Sequence, residues 1–197
     1  MIDGMNGLAG FTILSINTCF IIILVSIEKN IFEFSEIIIL EILMISFLIF
    51  NFPFGRIFLG DAGAYWLGWL TGILAINIFN QYNLSTWTAV LILIYPVTEV
   101  IFSTFRKIIA KKNPLYPDRK HLHLKIYLVI KGNSIRGSVF NSFTTLCLMP
   151  IWISPVLGIS LLFIHEKINM VFTLAIIAIY LIYYYLIPYS KVNKTNF

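Results

Sequence analysis

Between Ala62 and Thr98 the chain carries no charged side chain. Three further stretches, Leu8 to Ile27, Ser138 to Ile164 and Ile168 to Pro188, are as bare, and a fourth, Ser35 to Phe52, holds only Glu36 and Glu41. A helix needs roughly 20 mostly apolar residues, at about 1.5 Å rise each, to cross about 30 Å of hydrocarbon. Each run is therefore long enough for one crossing, and the first is too long for one. The polar cluster Asn80-Gln81-Tyr82-Asn83 divides it into helices of about Ala64 to Phe79 and Ser85 to Phe105. Pro150 and Pro155 predict kinks in the run that holds them. The expected fold is all-α: a polytopic integral membrane protein, 1–197 forming a single transmembrane domain of about six helices. Tyr183-Tyr184-Tyr185 closes the last run and fits an interfacial aromatic belt.

With 59% hydrophobic and 12% charged residues, too few polar groups remain to coat a water-facing surface. That excludes a soluble globular domain, a disordered chain and a small disulfide scaffold. Cys19 and Cys147 lie inside apolar runs and read as buried thiols. Asp3 stands where a signal peptide would carry positive charge, so a cleaved leader does not fit the N-terminus.

Of 14 Lys and Arg, nine fall between Arg106 and Arg136, which marks a cytoplasmic loop. Alternation then puts segments 1–7, 53–63, 106–137 and 189–197 on the cytoplasmic side. Three of these carry residues suited to chemistry. In Ile2 to Gly10, Asp3 and Asn6 stand three apart among glycines, so on a helix they would share a face and offer hydrogen bonds to a base or ribose. The plainer reading, a helix cap before a span, is favoured on composition alone. In Phe52 to Gly63, Asp61 sits between glycines, five residues after Arg56, at the mouth of a helix. It suits Mg²⁺, which takes one or two protein carboxylates and leaves other positions to water and phosphate oxygens. A helix-capping role for Asp61 is an equally weighted alternative.

The third segment runs from Arg106-Lys107 through Lys111-Lys112 to Asp118-Arg119-Lys120-His121-Leu122-His123. Histidines beside Arg and Lys suit a pyrophosphate, while a basic loop lying on anionic headgroups is the competing reading. A zinc site lacks a third ligand, and no nucleic-acid module is present. Glu41 and Glu99 lie within apolar runs, where a carboxylate is costly unless it faces protein or water. Glu99, three residues after Pro96, is expected to orient the basic loop through a hydrogen bond or ion pair.

Taken together, the segments resemble the polyprenyl-phosphate N-acetylhexosamine-1-phosphate transferases, glycosyltransferase family 4. Ile2 to Ala9 is similar to that family's Asp-Gly-x-Asp/Asn-Gly-Leu-Ala motif, and Gly55 to Gly63 to its Gly-x-x-Phe-Leu-Gly-Asp-x-Gly loop. Pro96 to Glu99, Arg106-Lys107 and Asp118 to His123 resemble its Pro-x-x-Asp/Glu helix and histidine loop. The resemblance implies transfer of a sugar 1-phosphate, with GlcNAc the default N-acetylhexosamine, from a UDP-sugar to undecaprenyl phosphate. UMP leaves, and Mg²⁺ (or Mn²⁺) is the cofactor. This is the first step of a lipid-linked glycan such as cell wall or O-antigen, at a bacterial inner membrane.

By the same resemblance Asp61 is the metal ligand, and Asp3 and Asn6 line the nucleotide site. Arg119, His121 and His123 meet the phosphates, and Asp61, Asp3, His121 and His123 form the catalytic set. The chain departs from the family in two places. Position 124 is Leu where the family often has His, and no Asp-Asp-x-x-Asp loop is present. These departures imply the C-terminal part of such an enzyme, with little activity alone. The alternatives are a non-catalytic membrane protein, or a half-enzyme that pairs with an N-terminal half or with itself. A small transporter using Glu41 and Glu99 as proton carriers is a further, weaker one.

Overall fold

The structure is a computed structural model that describes residues 4–113, 116, 120–131, 137–162 and 166–187. Among these, the regular elements are helical and no strand occurs. Leu8–Ser26 forms α1, Ser35–Asn51 α2 and Gly60–Gln81 α3, with a short 3-10 turn at Ile31–Phe34 before α2. Thr86–Ile92 (α4) and Ile94–Ile109 (α5) follow, then Leu122–Lys131 (α6) and Gly137–Cys147 (α7). Met149–Trp152 (α8), Ser154–Leu162 (α9) and Glu166–Leu186 (α10) complete the set.

Three helices, α1, α3 and α10, are long and apolar enough to cross a membrane, and up to five crossings result if each bent pair counts as one. At 17 residues, α2 is the shortest of the four long apolar helices. The expected set of about six spans is thus redrawn at two places. The run from Ser85 to Phe105 is bent by 84° between α4 and α5 rather than being one rod. Pro96 explains the bend, because it has no N–H to give the carbonyl of Ile92, and the helix restarts with Val97 donating to Leu93 at 3.1 Å. The run after the basic loop bends by 48° at Leu148, before Pro150, and breaks again at Ile153, before Pro155, as the prolines predict. The polar cluster at 80–83 acts as expected. The third helix ends at Gln81, Asn83 turns with φ +49°, and Ser85 caps α4 by accepting from the Trp87 amide at 3.2 Å.

The first helix is apolar on every side and lies at the centre, packed by α2, α3 and α9. Leu8, Cys19, Phe20, Ile23 and Leu24 on it are fully buried. Glu41, half-buried on α2, accepts a 3.0 Å bond from the Thr18 hydroxyl and so ties α1 to α2 within the apolar layer. Cys19 and Cys147 are free thiols; Cys19 is buried as expected, whereas Cys147 is only partly buried.

Candidate active site

The first two motif segments are knotted together by Asn6. A left-handed Gly7 (φ +82°) starts α1 without a side-chain cap, and Asn51, at the end of α2, accepts from the Gly7 amide at 2.5 Å instead. Asn51 also donates to the carbonyl of Ile57 at 2.6 Å. Asn6, 1% exposed, donates from Nδ2 to the carbonyl of Pro53 at 2.9 Å and to the Ser142 hydroxyl at 3.1 Å. Its amide donates to Asn141 Oδ1 at 3.1 Å, and its carbonyl accepts from the Thr145 hydroxyl at 2.7 Å. The Ser142 hydroxyl also donates to the carbonyl of Pro53. Gly55 (φ +62°) runs so close that a Cβ there would stand 2.5 Å from Asn6 Oδ1. The sequence assigns Asn6 to a ligand; the structure gives its side chain a clamp between α1, the 53–57 loop and α7.

Asp61 lies one residue into α3, exposed, and makes no hydrogen bond or ion pair among the described residues. The cap position is Leu59, with no side-chain cap bond, so the capping alternative for Asp61 is not what the fold uses. A carboxylate in the first turn is favoured by the positive end of the helix dipole. One free carboxylate fits a hard cation that draws its other ligands from water and phosphate. No group of three or more His, Cys, Asp or Glu capable of holding a metal ion occurs among the described residues, zinc ligand sets included.

The third segment is built around Glu99. This carboxylate, 1% exposed, has its Oε1 2.8 Å from His121 Nδ1 and accepts on the same oxygen from the Leu122 amide at 3.2 Å. It thereby satisfies an otherwise orphaned N–H in the first turn of α6, across 23 residues of chain. The expectation that Glu99 orients the basic loop is met through this contact. His123 lies with its ring stacked on that of His121, centroids 5.5 Å apart and 13° from parallel, and its Nδ1 stands 3.8 Å from Glu99. Burial lowers the His123 pKa to about 4, against the pull of the Glu99 charge, so at neutral pH its ring is uncharged.

Two lysines of the basic block are turned inward as well. Lys107 donates to the carbonyl of Tyr116 at 2.8 Å, and Lys125 donates to the carbonyl of Tyr184 at 2.5 Å with its ammonium 4.0 Å from the Tyr184 ring centre. Burial lowers the Lys125 pKa, with Arg106 nearby adding to the effect. Tyr184 is buried beneath Lys125 and Phe102, whereas Tyr185 is exposed, so only part of the tyrosine run is free to serve as an aromatic belt. Asp3, Asp118 and Arg119 lie outside the described residues.

A cavity of about 470 Å³ lies between α1, α3 and α5, beside the first two segments and Glu99. Its lining includes Ala9 and Thr12 on α1, Leu59 and Ala64 on either side of Asp61, and Glu99 on α5, and it is almost entirely apolar. Sequence reading missed Asn51, Asn141, Ser142 and Tyr180, all of which hold the site together. Of these only Asn51 left a signal, as a lone amide at the end of an apolar run.

This is a multi-pass α-helical membrane protein in which an apolar cavity is lined by neighbours of the glycine-flanked acidic turn and by Glu99, the carboxylate that contacts His121. Residues 1–79 match the model of the family described as glycosyl transferase family 4, the family that the motifs of that segment resemble. The chain is 32% identical over 142 residues to a Bacillus subtilis protein named "Probable undecaprenyl-phosphate N-acetylglucosaminyl 1-phosphate transferase". It is 38% identical over 80 residues to a Thermotoga maritima undecaprenyl-phosphate alpha-N-acetylglucosaminyl 1-phosphate transferase. The matches cover 71% and 41% of this chain but 38% and 26% of those relatives, so the chain spans well under half of either. No solved structure matches the chain.

Proposed function

We propose that the chain carries the motif-bearing part of an enzyme that moves N-acetylglucosamine 1-phosphate from a UDP-sugar to undecaprenyl phosphate. An oxygen of the lipid phosphate attacks the β-phosphorus of the nucleotide sugar. The bond from that phosphorus to the bridging oxygen breaks, and UMP leaves with the bridging oxygen. Asp61 would hold the divalent cation, Mg²⁺ or Mn²⁺, which when bound offsets charge on the pyrophosphate. His121, oriented by Glu99, and Arg119 would position the phosphates, with His123 packed against His121. Asp3 would meet the nucleotide, while Asn6 holds the wall of that site in place. Positioning and electrostatics carry most of such a reaction.

The observation that supports this reading is the shared cavity. An apolar groove lined by neighbours of a free carboxylate and by the glutamate that contacts His121 suits a lipid chain whose phosphate must reach a metal. A bacterial inner membrane with the basic block inside is the setting this chemistry requires.

A second reading has a specific observation behind it. Asp61 has no described acidic neighbours to complete a metal cluster, and the chain spans well under half of its relatives. In this reading the chain is a half-site completed by further helices. The test is transfer of radiolabel from UDP-GlcNAc into extractable lipid, in membranes holding the chain alone and with its upstream coding sequence. Metal-dependent labelling that Asp61→Asn abolishes is expected. Labelling only with the upstream sequence selects the half-site, and no labelling in either overturns the transferase reading.

A further inference from the structure

The carboxylate under the histidine segment is held from both sides, and the second side comes from the last helix. Tyr180, on α10 and 1% exposed, donates its hydroxyl to Glu99 Oε2 at 2.5 Å, across 81 residues of chain. Glu99 Oε1 meanwhile lies 2.8 Å from His121 Nδ1 and accepts from the Leu122 amide at 3.2 Å. A buried carboxylate that accepts from a backbone N–H on one oxygen and from a hydroxyl on the other suits its ionised form, which only accepts and so needs a proton on the ring nitrogen that faces it. With Oε2 taken by the tyrosine, the carboxylate cannot rotate to exchange its oxygens without breaking a buried bond. The Tyr180 ring is itself fixed, edge-on to Phe102 with centroids 5.8 Å apart. Which nitrogen of an imidazole carries the proton is set by the bond the other makes. A carboxylate locked against Nδ1 makes Nδ1 the donor and leaves Nε2 with its lone pair.

We propose that Tyr180 is a positioning residue that acts through Glu99, locking the carboxylate so that His121 is held with its proton on Nδ1 and Nε2 open to the ligand. In that state Nε2 accepts a proton or a hydrogen bond from the bound phosphate or nucleotide. Once protonated, the ring is a cation paired with Glu99 that donates from Nε2 to an anionic oxygen. What Nε2 meets rests on the proposed transferase reading; the tautomer does not.

The experiment is a long-range proton–nitrogen correlation spectrum of the full chain in detergent, with isotope-labelled histidine, at neutral pH. The chain has three histidines, so His121→Gln and His123→Gln assign the signals. His121 is expected with the proton on Nδ1. Tyr180→Phe keeps the ring against Phe102 and removes only the hydroxyl. It should lower the ratio of Nδ1–H to Nε2–H forms by roughly fivefold, the equilibrium weight of one hydrogen bond. A merely structural tyrosine would not move that ratio in a variant whose helical circular dichroism is unchanged. An unchanged ratio in a folded Tyr180→Phe overturns the proposal. So does a wild-type His121 that carries its proton on Nε2, a result that needs no variant to fold. Failure of the transferase reading would appear instead as absent lipid labelling beside an intact Nδ1–H tautomer.

Discussion

Asn6 Nδ2 donates to the carbonyl of Pro53 at 2.9 Å, joining two turns that lie 47 residues apart in the chain. Through this bond the loop that leads to Asp61 takes its position from the start of α1, and α7 closes over both through Ser142 and Thr145. The clamp is polar and buried within an apolar protein, where a polar group without a partner costs about 1–3 kcal/mol.

Removing the clamp should therefore be expensive. Asn6→Ala removes both Nδ2 bonds and leaves the Pro53 carbonyl and the Ser142 hydroxyl bonded to each other but not to α1, with an expected loss of about 1–3 kcal/mol. Gly55→Ala should cost a comparable amount, from the close approach to Asn6 Oδ1 and the positive φ. In the double variant the clash disappears while the φ strain stays, so the two costs should sum to more than the double variant loses. Thermal unfolding of the four proteins in one detergent checks this.

Asp61→Asn should separate chemistry from stability. The side chain is exposed and unpartnered among the described residues, so unfolding should change by less than about 0.5 kcal/mol. Metal-dependent lipid labelling should be lost in the same variant. A variant that unfolds early would instead assign Asp61 to the fold.

The buried His123 makes stability depend on pH. The unfolded ring binds a proton below its ordinary value of about 6.5, whereas the folded ring, desolvated, does not until about 4. Across that window the unfolded state holds more protons, so stability contributed by the neutral ring is present above pH about 6.5 and falls as the pH drops toward about 4, by up to about 1.4 kcal/mol per unit. Melting temperatures between those limits should decline in the wild type and decline less in His123→Gln.

Gly158→Ala tests the packing that brings α10 to the site. A Cβ at 158 would stand 2.6 Å from the Phe172 ring and 3.0 Å from Leu91, wedging α9 away from α10 and α4. The expected cost is about 1–3 kcal/mol. A strain on α10 should also weaken the Tyr180–Glu99 bond, seen as a shift in the His121 signals.

The helical, membrane-spanning character of the chain was legible in its uncharged runs, because hydrocarbon accepts only apolar side chains on a helix whose backbone bonds are satisfied internally. The proline breaks were legible too, since Pro150 and Pro155 act through their own missing N–H groups. The 84° turn before Pro96 was not, because a proline announces a weak point but its neighbours choose the angle. Asp61 was singled out by its flanking glycines, and Glu99 was tied to the basic loop because a carboxylate near cations in an apolar setting seeks a donor. The roles of Asn6 and His123 were different in kind. Each residue type suits a ligand, and only burial shows that one is already bonded and the other is held neutral.

By itself, then, the sequence determined the apolar helical runs, their breaks at Pro150 and Pro155, and which side chain types suit phosphate chemistry, since these follow from local composition and spacing. The tertiary structure alone decided that the last helix reaches the histidine segment, with Tyr180 on Glu99 and Tyr184 under Lys125. Contacts across 81 and 59 residues depend on how helices pack, and apolar runs that look alike to the bilayer carry no local signal of which neighbour they will meet.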